Sequence, residues 1–137
     1  MKVLIDTNVL IDFLTKRNQT FYESAGKIIN YCFCKKIKGC IAAHTVMNSF
    51  YVLRKIYTLS QMRNIFLHLS QHIDIISIDN SKIQKALNNN AFTDFEDCLQ
   101  AECALSSSAD YIVTRNIKDF VNSQIPAILP EDFLKLI

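Results

Sequence analysis

The sequence predicts an α/β fold, a parallel sheet covered by helices on both faces, and three observations carry that expectation. Short apolar, β-branched runs such as Val3-Leu4-Ile5, Ile73 to Ile78 and Tyr111-Ile112-Val113 alternate with longer stretches whose apolar residues recur every three or four positions. The runs are apolar at successive positions, as strands buried on both faces require. Only two Gly and two Pro occur in 137 residues, which argues against a turn-dense all-β design and against a Gly-rich phosphate cradle. A chain of this length, with no linker and no internal repeat, is expected to be one domain spanning 1–137.

Taken in order, Val3 to Ile5 forms a first strand that ends in the polar cluster Asp6-Thr7-Asn8. Helical spacing resumes at Val9, Leu10, Phe13 and Leu14. A longer amphipathic helix is expected from about Phe21 to Ile37, with Lys35, Lys36 and Lys38 at its carbonyl end and Gly39 as its stop. Cys40 to Ala43 is a brief second strand. Thr45 to Ile56 and Leu59 to Leu69 are helices, and Ile73 to Ile78 is a third strand. Asp79-Asn80-Ser81 offers caps for a helix through Leu87. Beyond Asn88-Asn89-Asn90 a helix runs from about Asp94 to Ser106, and Tyr111 to Val113 is the fourth strand. A turn spans Thr114 to Phe120. Ile125 to Leu129, interrupted by Pro126, is expected at the sheet edge, and Pro130 opens a terminal helix. Working residues of such sheets gather at strand carboxyl ends, so Asp6-Thr7-Asn8 and Thr114-Arg115-Asn116 are expected on one rim.

Five cysteines are an odd number, and the amino terminus reaches Asp6 before any signal-peptide core forms. These features predict a reduced, cytoplasmic protein. Cys32, Cys34 and Cys40 lack the second pair that a zinc site needs and are expected to be buried thiols. No apolar run approaches the roughly 20 residues that cross a bilayer, so no membrane association is expected. His44, His68 and His72 show no metal-ligand spacing, and no nucleophilic triad is legible.

Fifteen Lys plus Arg against thirteen Asp plus Glu leave a formal charge of +2, which by itself names no partner. Its distribution is more informative. Residues 86–114 contain no Lys or Arg but hold Asp94, Glu96, Asp97, Glu102 and Asp110, a net −5 that leaves +7 on the rest of the chain. Asp94 and Asp97, three apart at a helix start, share one face, so either a pKa rises or a cation sits between them. A competing explanation is local: Thr93-x-x-Glu96 is a capping box, and Asp94 suits the helix dipole without any metal. Asp6 and Asp119 carry the same ambiguity, as helix caps or as members of one acidic set with Asn116. Oxygen ligands without His or Cys suit Mg²⁺ or Mn²⁺.

Four segments resemble the PIN domain family, and within it the VapC-type toxins: Val3 to Leu10, Thr45 to Arg54, Asp94-Phe95-Glu96-Asp97-Cys98-Leu99-Gln100-Ala101, and Tyr111 to Phe120. They recur in the same order over nearly the whole chain. The resemblance implies a three-layer α/β/α sandwich with a central parallel sheet of four to five strands, an acidic pocket for Mg²⁺ or Mn²⁺, and RNA cleavage. Carried over by position, it implies Asp6, Asp94 and Asp97 as the main metal-site and catalytic carboxylates, with Asn116 and Asp119 at the last corner. Thr7, Asn8 and Thr114 are then implied to orient ligands or phosphate. One departure stands out. Asn48 occupies the place where the family usually carries a glutamate, keeping an oxygen donor but removing a negative charge.

The function expected is metal-dependent endoribonuclease, the toxin of a type II toxin–antitoxin pair with a small antitoxin as partner. The alternative is a degenerate PIN domain that binds RNA or protein without cutting, motivated by Asn48; a structural module with capped helices is a third reading. Arg54, Lys55, Arg63, Arg115 and Lys118 are candidates for a basic rim holding the RNA backbone, against the plainer reading of each as a solvated surface charge. Phe50, Tyr51, Ile56 and Phe66 are candidates for a homodimer face.

Overall fold

Val3, Leu4 and Ile5 are apolar in succession and fully buried, so β1 (Lys2–Ile5) needs neighbours on both edges and helices on both faces. It has them in the computed structural model, which describes residues 1–137. β1 pairs in parallel with β2 (Lys38–Ala42) on one side and β4 (Tyr111–Val113) on the other, Leu4 lying opposite both Cys40 and Ile112. β3 (Ile73–Ile76) extends the sheet beyond β2, and β5 (Ala127–Ile128) beyond β4. The result is an all-parallel five-stranded sheet in the order β3-β2-β1-β4-β5.

Alternation along the strands divides the core in two. Val3 and Ile5 pack with α1 (Thr7–Thr15), α2 (Gln19–Phe33), α3 (Ala43–Leu53), α4 (Leu59–Leu69) and α7 (Pro130–Leu134). Leu4, Cys40 and Ile112 point the other way, onto Ala101, Cys103 and Ala104 of α6 (Phe95–Ser106). α5 (Asn80–Leu87) covers the far side of α6 through Ala86 and Ile83 against Cys98 and Leu99. This is the expected three-layer α/β/α sandwich. Each fully buried Leu or Ile contributes roughly 2 kcal/mol by transfer from water, and the mid-sheet strands are where such residues concentrate.

Three expectations need correction. α2 ends at Phe33, before the lysines, and Lys35 rather than Gly39 takes the left-handed conformation, with φ 57°. Gly39 lies inside β2 instead, where a Cβ would stand 2.5 Å from Cys32 Sγ of α2. The glycine is there for close helix–strand packing, not for a turn. α3 stops at Leu53, short of Ile56, because the Leu53 carbonyl accepts the N–H groups of both Ile56 and Tyr57 and the chain turns there. Phe66 is buried and Phe50 is half-buried against its ring at 5.5 Å, so Phe66 is not available to the expected homodimer face. All five cysteines are free, four of them buried and Cys34 exposed. No helix is long and apolar enough to cross a membrane.

Candidate active site

From β1 the chain moves outward to β2 and β3, then returns to place β4 and β5 on the opposite side. Strand order therefore reverses between β1 and β4, which is where open parallel sheets form a crevice at their carboxyl ends. A cleft of about 420 Å³ opens there, lined by Asp6, Asn48, Asp94, Glu96, Asp97 and Asp119, with Thr7, Asn8, Tyr51 and Gln100 also contributing.

Asp6 is its floor. Its N–H continues the sheet by donating to the Val113 carbonyl at 3.0 Å, and it occupies the N-cap position of α1 without closing a side-chain cap bond. The carboxylate accepts instead from Gln100 Nε2 (2.9 Å) and Thr114 Oγ1 (2.8 Å) and is only 4% exposed. Burial raises its pKa, opposed by those two bonds and by the nearby N–H groups of Asn8 and Thr7. Capping thus does not explain this aspartate. Thr114 is fully buried, and its oxygen also accepts the Asn116 N–H at 3.0 Å. Thr7 Oγ1 and Thr45 Oγ1 lie 2.8 Å apart and tie the starts of α1 and α3 together beneath the cleft.

α6 begins one residue later than the capping-box pattern suggests. Asp94, not Thr93, is the N-cap, its Oδ1 accepting the Asp97 N–H at 3.0 Å. That releases Glu96 from capping. Its Oε1 accepts from Asn48 Nδ2 at 2.7 Å and lies 3.7 Å from His44 Nε2. The Glu96 pKa is raised, by burial first, against the lowering bond from Asn48 and with Asp94 and Asp6 adding to the rise. Asp97 is raised as well: burial, then the charges of Asp94, Asp119, Asp6 and Glu96, push its carboxyl up to about 7. Asp119, in the 3-10 turn Ile117–Phe120, accepts from Asn116 Nδ2 at 2.6 Å. Asn116 itself does not line the cleft.

The sequence signals left Glu96, Gln100, His44 and Tyr51 outside the candidate site. Gln100 was legible only as one polar residue on an apolar helix side. His44 and Asn48 stand four apart on α3, a spacing that places them on one face, but nothing in the sequence shows that this face meets α6.

The basic candidates divide. Arg115 Nε pairs with the buried Asp12 at 2.7 Å and its guanidinium covers the Phe21 ring, so it is committed to the fold. Arg54 stacks on Tyr51 with 3.9 Å to the ring centroid and donates to the Tyr51 carbonyl. Because Tyr51 lines the cleft, Arg54 stands on its rim. Lys55 and Lys118 are exposed beside α3 and on the turn that carries Asp119, and Arg63 is exposed on α4.

Five carboxylates meet in this cleft, and the chain's ion pairs leave every one without a Lys or Arg partner. Gln100 Oε1, buried beside Asp6, has no hydrogen-bond partner either. An all-oxygen donor set, unbalanced negative charge and an orphaned buried acceptor fit a hard divalent cation. No three of the His, Cys, Asp and Glu side chains already stand in cage geometry, and all of these carboxylates but Asp97 accept a hydrogen bond from a protein donor.

Among curated proteins none matches the sequence. Among solved structures, the chain is similar to VapBC2 from Rickettsia felis bound to a DNA fragment from their promoter, at 18% identity over 94% of this chain and 98% of that one, with a TM-score of 0.65. It is similar to a chain of a toxin–antitoxin complex from Klebsiella pneumoniae, at 23% identity over 93% and 97%, with a TM-score of 0.65. VapBC-1 from nontypeable Haemophilus influenzae gives 17% identity over 96% and 99%, also with a TM-score of 0.65. At these identities the likeness is one of fold. The family model described as PIN domain matches residues 2–118. Since that match runs from the first residue of β1 to the turn after β4, and so takes in every strand framing the cleft, the chain belongs to the PIN domain family.

Proposed function

We propose that the protein is a Mg²⁺- or Mn²⁺-dependent endoribonuclease, the toxin of a toxin–antitoxin pair. The observation that carries this reading is the cleft of five carboxylates with no basic partner, placed at the strand-order reversal. Family membership and the toxin–antitoxin complexes that share its fold support it. In this reading Asp6, Asp94 and Asp97 hold the cation, with Asp119 as the further carboxylate and Asn116 beside it. A bound divalent cation supplies Lewis acidity, acidifying water and offsetting the charge that develops on the phosphate. Gln100 and Thr114 fix both Asp6 oxygens in direction, so the deepest carboxylate presents one orientation. Asn116 holds Asp119 by the same kind of bond. Thr7 and Asn8 border the phosphate path, while Arg54, Lys55, Arg63 and Lys118 attract the RNA backbone toward a cleft that would otherwise repel it. No protein nucleophile is needed.

The partners proposed are RNA, a small antitoxin and a second copy of this chain. For the dimer, the exposed strip of Met47, Tyr51, Val52, Ile56 and Leu59 along α3 and the start of α4 offers apolar surface. The second reading, a PIN domain that binds without cutting, is favoured by Asn48, whose amide faces Glu96 where the family usually has a carboxylate.

Incubation of a mixed RNA substrate with the protein and Mg²⁺ or Mn²⁺ tests the proposal. Cleavage is expected to stop in EDTA and to fall at least ~100-fold in Asp6→Asn and Asp97→Asn, consistent with losing a metal carboxylate. Equal, slow background in wild type and both variants sinks the nuclease reading and leaves the binding module.

A further inference from the structure

We infer that Glu96 is a cation ligand of this cleft and that Asn48 and His44, one turn apart on α3, are the residues that position it. The inference rests on the metal-dependent reading above. A glutamate in the first turn of a helix ordinarily faces its own helix's free N–H groups or solvent. Glu96 does neither. The cap bond is made by Asp94, and the Glu96 carboxylate turns into the cleft to accept from Asn48 Nδ2 at 2.7 Å. It lies close enough to Asp6 and Asp94 for their charges to oppose its own.

A second observation is independent of the acidic set. His44 is 8% exposed, neither of its ring nitrogens has a hydrogen-bond partner, and Nε2 stops 3.7 Å short of Glu96 Oε1. Three of the four buried side-chain polar atoms without partners in this chain belong to His44, beside Glu96, and Gln100, beside Asp6. A buried donor left open in this way is satisfied when the carboxylate beside it shifts to bind a cation. The arrangement gives Glu96 two supporting side chains from α3 and one charge to offer the cleft. It also accounts for Asn48: a second carboxylate at that position would repel Glu96, whereas an amide N–H holds it.

Calorimetric titration of the full chain with Mn²⁺, read beside thermal melts of the same samples, tests this. Glu96→Gln is expected to weaken Mn²⁺ binding by ~10–100-fold, and Asn48→Ala and His44→Phe by ~10-fold or less. Glu102→Gln removes the same charge from the far face of α6 and is expected to bind like wild type. The double variant Asn48→Ala/Glu96→Gln is expected to be no weaker than Glu96→Gln alone, since Asn48 acts through Glu96; a purely structural clip between α3 and α6 would instead make the Asn48→Ala loss as large as the Glu96→Gln loss. If Glu96→Gln does not fold, Glu96→Asp replaces it, and wild-type affinity in that shorter variant counts against the inference. Should Glu96→Gln bind within twofold of wild type while Asp6→Asn loses binding, Glu96 is not a ligand and this inference alone falls. If wild type takes up no Mn²⁺, or Asp6→Asn binds as wild type does, the metal-dependent reading falls and this one with it.

Discussion

Asp97 keeps its proton to about pH 7 in the folded protein, while in an unfolded chain an aspartate releases it near 4. Between those values the folded state binds more protons than the unfolded one, so this group's contribution to stability declines as pH rises through that window and is gone above it. Asp6 and Glu96, also raised, act in the same direction. His44, lowered by burial, acts in the opposite direction as pH falls below about 6.5. The difference between wild type and Asp97→Asn isolates the aspartate. In EDTA, Asp97→Asn is expected to raise Tm at pH 7.5 by roughly 2–4 °C, a span that allows for solvent screening of a half-exposed group, and to leave Tm at pH 4.5 nearly unchanged. Melting curves across that range check it, and parallel pH profiles for the two proteins would falsify the assignment. Millimolar Mg²⁺ is expected to stabilise wild type at pH 7.5 and to have much less effect on the variant. At this scale Asp6, Asp94, Asp97 and Asp119 could be picked out from the sequence and do line one cleft, but how each is engaged could not. Thr93, Asp94 and Glu96 satisfy two capping patterns offset by one residue, and only the start of α6 decides which carboxylate caps and which is left for the cleft.

Helices and strands were legible where a face is buried, because burial imposes a period of 3.6 or 2 on the apolar residues. α4 and β4 fall on their expected boundaries, and the Pro126 segment lies at the sheet edge. What spacing does not report is how closely two elements approach. Gly39 is the case in point: it looked like a helix stop, yet it is a missing side chain that lets β2 lie against α2. Gly39→Ala is expected to destabilise the protein by about 1–3 kcal/mol, the usual range for overpacking a filled core. Urea unfolding measures it. Adding Cys32→Ala, which removes the Sγ in the way, is expected to recover a good part of the loss, because the clash is with that atom. A loss that Cys32→Ala leaves untouched would place the strain in the backbone instead.

Over the whole molecule, a near-neutral total conceals an acidic cleft in a basic body. Which cations serve the body's field was not legible, because partners such as Asp12 for Arg115 are distant in sequence. If Arg54 and Lys118 contact RNA phosphates, each Gln substitution in an Asp6→Asn background is expected to reduce the slope of log affinity against log salt by about 0.7. Arg115→Gln is expected to leave that slope alone and to lower Tm, since it strands the buried Asp12 carboxylate. Fluorescence anisotropy with a labelled RNA at several salt concentrations separates the two behaviours. The sheet order has one more effect. β1 is made first but is central, and its second edge stays open until β4 arrives to receive the Asp6 N–H and supply Thr114. A chain in which β4 has not yet paired with β1 therefore has no finished cleft, and its carboxylates come together only as the sheet nears completion.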